Sequence, residues 1–589
     1  MEEKIKNKKV KTHNMRKMWR YYGKHKGLLA VNMIFLVCSG AVGILMPILS
    51  ANALANLATS NFDKAIHFAV LMCIVGIFKL IFNALDEFFY IKINAKLQYE
   101  LTDKMIHSIN QTKMKKLDNT QMGFLIERLS SDVGMVSDVY LNLLDLSFSI
   151  LTNVVFMFYI FYLNKLIFLI LLAYVAVLYV VCTIKSRIWI RGRKVMRKAK
   201  DEARSAYFEQ INAIRDVKLL NIKENVTKYS NDKFTKALNI SMNVSNKRNF
   251  IRRVQSAVSI LFELAFMVIG IAFVRKEMLL IAGLLVIYTY YGRVEGLVGY
   301  LSSFKEFKAD GEISATRIFE LIEDYEKEEF GDEEFANFKG DVEFKNVHFA
   351  YNENEPVLNG LNIVFEPGKM TAIVGKSGSG KTTILSLISK LYDIQSGEIL
   401  LDGKNINTLS ENAIHSNIGE ISQSPYIFNT SIKQNLLFVK PDATEEEIIK
   451  VLKDAQIYKD VKKFTNGIET EIGENGIKLS GGQKQRLAIA RLLLMDSKVI
   501  VFDEATSALD NESQSKIVEM LEKYKSNKTI IIVAHRLSSI VNADTIYMLQ
   551  GGKVIAKGTH KQLMSTCKEY HELYELEEKS ATIVSDEDV

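Results

Sequence analysis

The 589-residue sequence predicts a membrane domain of α-helices followed by a soluble α/β domain. Before about residue 310 the apolar residues gather in long runs, whereas beyond it they alternate in short strand-like and helical segments. In the second part, a glycine-rich loop at residues 375–382 lies between an apolar strand pattern and a helix pattern. The chain is too long for one hydrophobic core, so several domain-sized units are expected.

Six apolar stretches predict six transmembrane helices. A helix needs about 20 apolar residues to cross a hydrocarbon core of about 30 Å. The predicted spans are residues 28–49, 65–85, 139–163, 167–181, 254–274 and 278–301. A charged N-terminal stretch without a cleavage-site pattern precedes the first, which is therefore predicted to be a retained helix and not a signal peptide.

The links between the spans predict the orientation in the membrane. Those after the second and fourth spans, residues 91–139 and 185–253, are long and rich in Lys and Arg, which places them and the N-terminus in the cytoplasm. Both keep helical periodicity with almost no glycine or proline, so the spans are predicted to continue into the cytoplasm. Turns at their tips are expected at 119–123 and 209–216.

Ionisable residues inside the predicted spans are a second signal. A charge at membrane depth costs at least about 2.5 kcal/mol unless it is paired or faces water. One interpretation is mutual salt bridging or snorkelling, and the other is a polar belt that lines a substrate cavity. The residues are Lys79, Asp145, Glu263, Arg293 and Glu295. In the second interpretation, tyrosines of the sixth span would offer aromatic surface to an amphipathic ligand: Tyr288, Tyr290, Tyr291 and Tyr300.

Charge and cysteine content argue against a nucleic-acid-binding protein, a disulfide-stabilised protein and a zinc protein. The formal net charge is +7, but the basic residues concentrate in residues 1–26 and beside the apolar runs, so no nucleic-acid partner is expected. None of the four cysteines shares a CxxC spacing, so neither a disulfide framework nor a zinc site is predicted. They are Cys38, Cys73, Cys182 and Cys567.

The loop at residues 375–382, GKSGSGKT, has the context of a phosphate-binding P-loop. An acidic stretch at 323–334 is predicted to be a linker, and the apolar strand 370–374 leads into the loop. Lys381 is predicted to reach the β and γ phosphates of a nucleotide, and Thr382 to ligate Mg²⁺. The other predicted phosphate contacts are Gly375, Ser377, Gly378, Gly380 and Thr383.

Two acidic residues close a second apolar strand, 498–502. Asp503 is predicted to hold Mg²⁺, often through water, and Glu504 to polarise an attacking water. An acidic pair after a strand is by itself more typical of a solvated strand end. Here it stands 23 residues after Ser480, within the sequence LSGGQ at 479–483, which favours the catalytic interpretation.

On these motifs the chain resembles, over nearly its whole length, a half-size ABC transporter of the exporter type. The LSGGQ sequence matches the ABC signature, and the resemblance implies that it binds the γ phosphate held by the P-loop of a second subunit. The residues concerned are Ser480, Gly481, Gly482 and Gln483. In the same comparison Asp510, in SALD at 507–510, resembles the D-loop, and His535, in VAHR at 533–536, resembles the switch histidine.

Three further segments extend the resemblance. Gln423 resembles the Q-loop glutamine, which contacts Mg²⁺ and senses the transmembrane helices, although Ser424 stands where an acidic residue is common. Tyr351 resembles the aromatic residue that stacks on adenine, and the alternative is a buried strand-end tyrosine. The segment 471–476, EIGENG, resembles the exporter X-loop.

The resemblance implies ATP and Mg²⁺ as cofactors and ATP-driven export of a small molecule, lipid or peptide by alternating access. An importer of exporter architecture and a regulatory membrane protein without pumping remain alternatives. Because Glu504, Ser480 and His535 are intact in one chain, a homodimer is predicted. Both termini are expected in the cytoplasm of a bacterium. The predicted domains are a basic N-terminus (1–26), a transmembrane domain (27–322), a linker (323–340), an ABC domain (341–575) and an acidic tail (576–589).

Overall fold

The computed structural model describes residues 14–120, 122–352, 354–473, 476–503, 511–534 and 537–576. It divides into two compact units. The helical unit comprises Met1–Gln111 and Thr120–Tyr325, and the α/β unit comprises Thr112–Asn119 and Glu326–Val589.

Helices, most of them long, account for nearly all of residues 14–320. Those described are α1 (Asn14–Tyr22), α2 (Lys26–Ala58), α3 (Phe62–Asn110), α4 (Met114–Asp118), α5 (Met122–Glu127), α6 (Val133–Leu163), α7 (Lys165–Asn212), α8 (Ile214–Leu219), α9 (Lys223–Arg275) and α10 (Ile281–Phe319). The stretches containing α2, α3, α6, α7 and α9 are long and apolar enough to cross a membrane. Most of the sixth predicted span, residues 278–301, lies in α10, which is not among these five described stretches because Arg293, Glu295 and several tyrosines make it less apolar.

The lengths of α3, α7 and α9 confirm that these spans continue beyond the bilayer. They contain 49, 48 and 53 residues, or about 70–80 Å of helix against a hydrocarbon core of about 30 Å. The short link before α7 is stabilised by Asn164, whose Oδ1 accepts hydrogen bonds from the backbone N–H groups of Leu166 (3.0 Å) and Ile167 (3.1 Å).

The helices end or break at both of the turn regions that were predicted, and two further breaks accompany them. Ala213 separates α7 from α8 inside the predicted 209–216 turn, and α4 ends at Asp118, one residue before the predicted 119–123 turn. A break at residues 111–113 makes α4 a separate short helix, and another at residues 220–222 separates α8 from α9. Sequence reasoning missed both breaks because neither Gln-Thr-Lys nor Leu-Asn-Ile contains glycine or proline.

Ion pairs connect the helix extensions within the helical unit. Glu127 accepts a hydrogen bond from Arg197 at 3.1 Å and lies 3.7 Å from Arg317, which is itself 3.6 Å from the buried Asp132. Because such pairs are only partly exposed, they are screened less by salt than surface pairs. They hold the last turn of α5 and the residues just after it against α7 and α10.

The α/β unit is built on two sheets. Its strands are β1 (Val342–Ala350), β2 (Pro356–Phe365), β3 (Met370–Gly375), β4 (Ser396–Leu401), β5 (Lys404–Asn405), β6 (Ile418–Ile421), β7 (Val499–Asp503), β8 (Thr529–Val533), β9 (Thr545–Gln550) and β10 (Lys553–Gly558). The six-stranded sheet has the order β10-β9-β3-β8-β7-β6 and is parallel except for β10, and the antiparallel four-stranded sheet has the order β2-β1-β4-β5.

Helices cover the parallel sheet, as its apolar strands require. All five residues of β7 and of β8 are buried, which is typical of strands covered on both faces. Besides α4, the described helices of this unit include α11 (Lys381–Ile388), α12 (Glu411–His415), α13 (Ile432–Leu437), α14 (Glu445–Asp454), α15 (Tyr458–Val461), α16 (Gly481–Met495), α17 (Asn511–Tyr524) and α18 (His560–Thr566).

Candidate nucleotide site

The register of the parallel sheet brings the predicted site residues to one edge. Val533, the last residue of β8, pairs with Ile373 of β3 on one side and with Asp503 of β7 on the other. On the next strand, Ile421 of β6 pairs with Phe502, so Gln423 follows at the same edge. The carboxyl ends of parallel strands are where ligands of such sheets bind.

The P-loop follows β3 directly and wraps the first turn of α11. A Cβ atom at Gly375 would lie 2.4 Å from the Leu549 carbonyl oxygen, so no larger residue fits there. Gly380 precedes α11 with φ +100°, a left-handed conformation that glycine adopts without strain. The result is a turn whose backbone N–H groups and helix N-terminus form a cradle for an anion.

Two side chains in this loop fit a phosphate ligand. Lys381 is only 6% exposed, and its Nζ donates to the carbonyl oxygens of Gly375 (2.9 Å) and Lys376 (3.2 Å), so the ammonium group lies inside the loop. The Ser379 Oγ is buried without a hydrogen-bond partner among the described residues, and a buried hydroxyl normally has one. Thr382 is exposed on the first turn of α11.

The predicted adenine-stacking residue, Tyr351, lies at the end of β1. Its side chain is 37% exposed, so the alternative of a buried strand-end tyrosine is wrong. Its ring meets Phe349 edge to face at 4.9 Å, and its Oη lies 3.3 Å from the Thr383 Oγ1 on α11. The ring is thus held beside the P-loop helix with surface left for a base.

The signature residues form the N-terminus of α16. The Ser480 Oγ accepts a hydrogen bond from the Gln483 N–H at 3.2 Å, and the Gln483 Oε1 accepts one from the Ser480 N–H at 2.9 Å. This capping box fixes the first turn, while Ser480 and Gly481 remain exposed. The exposed end of a 15-residue helix carries the positive end of the helix dipole.

Asp503 is 6% exposed at the end of β7, beside the edge where the P-loop begins. The predicted base Glu504, Asp510 of the D-loop segment and the histidine His535 lie outside the described residues. The same is true of Glu474 and Asn475 in the X-loop segment, whose first residue, Glu471, forms a β-bridge with Ser431.

Sequence reasoning missed a buried polar network that supports the signature helix. Arg491 of α16 donates to the carbonyl oxygens of Tyr426 (2.7 Å) and Asn435 (3.2 Å). Asn435 is fully buried, and its amide donates to the Phe428 carbonyl oxygen at 3.0 Å. The network ties α16 to the segment after Gln423. The sequence signals that could have indicated this network are an asparagine and an arginine within otherwise apolar helix patterns.

The structure places the five ionisable residues of the spans on α3, α6, α9 and α10. Among the described residues of this one chain, no ion pair joins two of them. Glu263 accepts from the Tyr288 Oη at 2.9 Å, and Glu295 accepts from the Ser259 Oγ at 2.8 Å. Arg293 donates to the Gly43 carbonyl oxygen at 2.8 Å, on α2. Lys79 and Asp145 are half-buried on α3 and α6.

Comparison with known proteins agrees with the two-part architecture. Residues 29–294 match the family model described as the ABC transporter transmembrane region, and residues 358–507 match the model described as ABC transporter. The chain is 31% identical over 506 residues to a "Putative multidrug export ATP-binding/permease protein" of Staphylococcus aureus strain NCTC 8325 / PS 47, a match that covers 82% of this chain and 84% of the relative. A protein of the same name in the bovine strain RF122 / ET3-1 is 31% identical over 503 residues, with the same coverage.

Among solved structures, a bacterial Atm1-family ABC exporter with ATP bound has a similar fold. The TM-score is 0.80 at 22% sequence identity, and the match covers 93% of this chain and 98% of the other. With several long apolar helices, the P-loop and the signature helix in one polypeptide, the chain belongs to the ABC transporters and has the exporter-type half-transporter architecture.

Proposed function

We propose that this multi-pass ABC transporter exports amphipathic small molecules as a homodimer, using Mg²⁺ and ATP. ATP hydrolysis coupled to export is the activity of the family. The observation that carries the proposal is that one chain presents both halves of an ATP site, the P-loop before α11 and the exposed signature end of α16. Both termini would lie in the cytoplasm of a bacterium, as the positive-inside rule predicts.

Each site residue is assigned a distinct role from its position relative to the carboxyl edge of the parallel sheet and from its chemistry. Thr382, Gln423 and Asp503 would hold Mg²⁺, which prefers oxygen ligands and supplies charge neutralisation between the phosphates. Glu504 would act as general base toward water, and His535 would contact the γ phosphate. Tyr351 would stack on adenine.

Exposed apolar surfaces support the dimer. In the helical unit, the tip around α8 exposes Ile211, Leu219 and Leu220 at 67%, 72% and 68%. In the α/β unit, a patch of three aromatic residues is exposed and mutually packed: Tyr426, Phe428 and Phe438. Monomeric proteins rarely leave such surfaces uncovered, whereas a second copy can bury them.

Complementation between two inactive chains tests whether ATP sites are shared. Lys381→Ala removes the P-loop cation and Ser480→Arg blocks the signature end, so each homodimer should be inactive. When the two are co-expressed with different tags and purified through both, one site of the mixed dimer has an intact Lys381 and an intact Ser480. We expect ATPase activity of up to about half the wild-type value.

The control for this experiment is a doubly tagged dimer in which both chains carry Lys381→Ala. Mixed dimers no more active than this control, or an active purified particle with the mass of one chain, would contradict sites shared between two copies.

The polar groups on α9 and α10 support an amphipathic substrate. Glu263 and Glu295 lie near tyrosine side chains, and a substrate with cationic and apolar parts would find complementary groups there. The relatives' printed names refer to multidrug export.

Dye uptake into inside-out vesicles tests substrate and direction together. We expect ATP-driven accumulation of the cationic dye Hoechst 33342, which an importer or a protein without pumping would not produce. Glu295→Gln, Glu263→Gln and Arg293→Ala should lower accumulation and dye-stimulated ATPase activity several-fold, since each removes a polar group from the belt. Glu277→Gln, an exposed carboxyl after α9, serves as the matched control. Unchanged transport in all three belt variants would remove the belt from the substrate path.

A further inference from the structure

Residues 112–119, which lie between α3 and α5 in sequence, belong to the α/β unit. Thr112 forms an antiparallel bridge with Lys327, and the Lys113 backbone N–H donates to the Glu326 carbonyl oxygen at 3.0 Å. The Lys113 Nζ also forms an ion pair of 2.8 Å with Asp393. Backbone and side-chain contacts thus seat the segment on the unit that contains the P-loop.

Tyr392 adds a contact at the other end of this segment. Its Oη donates a hydrogen bond to the Asp118 Oδ2, at the end of α4. Burial, followed by this hydrogen bond and the Asp118 charge, raises the pKa of Tyr392, so the hydroxyl keeps its proton and donates at neutral pH. A hydrogen bond to a carboxylate is stronger than one between neutral groups.

The ring of Tyr392 also touches the proposed adenine contact. It meets Tyr351 edge to face, with ring centroids 5.1 Å apart and planes at 88°, and Phe349 at 5.9 Å. A cavity of about 210 Å³ adjoins these rings and is lined also by Lys113. The cavity leaves part of the cluster of Phe349, Tyr351 and Tyr392 without packed neighbours. Tyr392 therefore has space to move when Tyr351 moves.

We infer that Tyr392 is a positioning residue that couples occupation of the adenine site to residues 112–119. This rests on the proposed function, in particular on Tyr351 as the stacking residue. A base stacked on Tyr351 fixes the plane of that ring, the edge-to-face contact fixes Tyr392, and Tyr392 holds Asp118. The segment is continuous in sequence with the second and third spans. Binding of the adenine base, in addition to binding of the phosphates, therefore influences the membrane helices. By thermodynamic reciprocity, the state of the segment also changes ATP affinity.

Hydrogen exchange of the full-length chain in lipid nanodiscs tests this inference. The background variant is Glu504→Gln, which prevents hydrolysis, and peptides covering residues 112–119 and 375–383 are followed with and without saturating Mg·ATP. We expect ATP to slow exchange in both peptides of the parent. In Tyr392→Phe, which keeps the ring but removes the donor, protection of 375–383 should be unchanged, and at least half of the ATP-dependent difference at 112–119 should be lost.

Matched variants separate this role from simple docking of the segment. Tyr524→Phe removes a tyrosine–aspartate hydrogen bond of 3.1 Å to Asp454 elsewhere in the unit and should leave both responses unchanged. Asp118→Asn keeps an acceptor oxygen and should retain more of the response than Asp118→Ala. The inference would be overturned if ATP did not slow exchange at 112–119 in the parent. It would also be overturned if ATP slowed exchange there equally in Tyr392→Phe and in the parent. Absence of ATP protection at 375–383 in the parent would instead overturn the proposed ATP site.

Discussion

Glu504→Gln is expected to lower ATP hydrolysis by about 10²–10⁴-fold, the usual contribution of a general base, while ATP still binds. The glutamine is similar in size and retains a hydrogen-bonding oxygen, but it cannot accept the proton of the attacking water. Phosphate release measures the turnover, and binding of a fluorescent ATP analogue measures the affinity. The variant should accumulate a nucleotide-bound dimer, because closure precedes hydrolysis in the proposed cycle.

A second candidate for the general base is Glu420 on β6, a partly buried carboxyl near Asp503. Burial raises the pKa of Glu420, as does the nearby Asp503 carboxylate, so its charge state alone does not exclude it. Its carboxylate, however, accepts a hydrogen bond from Ser389, just beyond the last residue of α11. The P-loop lies at the other end of that helix, eight residues or about 12 Å away. Glu420→Gln should therefore retain turnover; loss of turnover there, with normal turnover in Glu504→Gln, would reverse the assignment.

Lys381→Ala is expected to weaken ATP binding by about 10²-fold or more. The ammonium group would make charged hydrogen bonds to two phosphates, and each such bond contributes about 1.5–3 kcal/mol. Since Lys381 is buried in its loop, alanine also removes the positive charge nearest the proposed γ phosphate. Equilibrium binding of ATP to purified full-length chain measures the change.

Lys376→Ala is the matched control for this substitution. Lys376 is an exposed lysine in the same loop, and its removal should change affinity little. Equal thermal unfolding of the two variants in nucleotide-free buffer would show that Lys381→Ala has not lost affinity through misfolding. Unchanged ATP affinity in Lys381→Ala would contradict its phosphate-binding role.

Much of this protein was predictable because its signals are local. Six apolar runs predicted the long helices, since length and hydropathy alone decide whether a helix can cross a bilayer. The loop at 375–382 and the signature at 479–483 predicted their own turns, because glycine conformations and helix caps depend on neighbouring residues. The structure shows these turns at Gly380 and Ser480.

Contacts between distant residues were not predictable from periodicity. Asn435 and Arg491 are 56 residues apart and read as ordinary polar residues, yet they form one buried network. One interpretation of the ionisable residues in the spans was that they pair with one another. In the structure, Arg293 donates a hydrogen bond to a backbone carbonyl oxygen on α2. Which partner a polar side chain finds depends on how the helices pack, and that packing is a property of the whole chain.

The sequence by itself determined that this chain is a membrane ATPase, because the spans, the P-loop and the signature are each written in consecutive residues. Only the tertiary structure decided that Val533 aligns β3 and β7 at one edge, and that Tyr392 lies between Tyr351 and Asp118. Sheet register and ring contacts join residues far apart in the chain. Their geometry is set by the packing of the folded units, which no local pattern encodes.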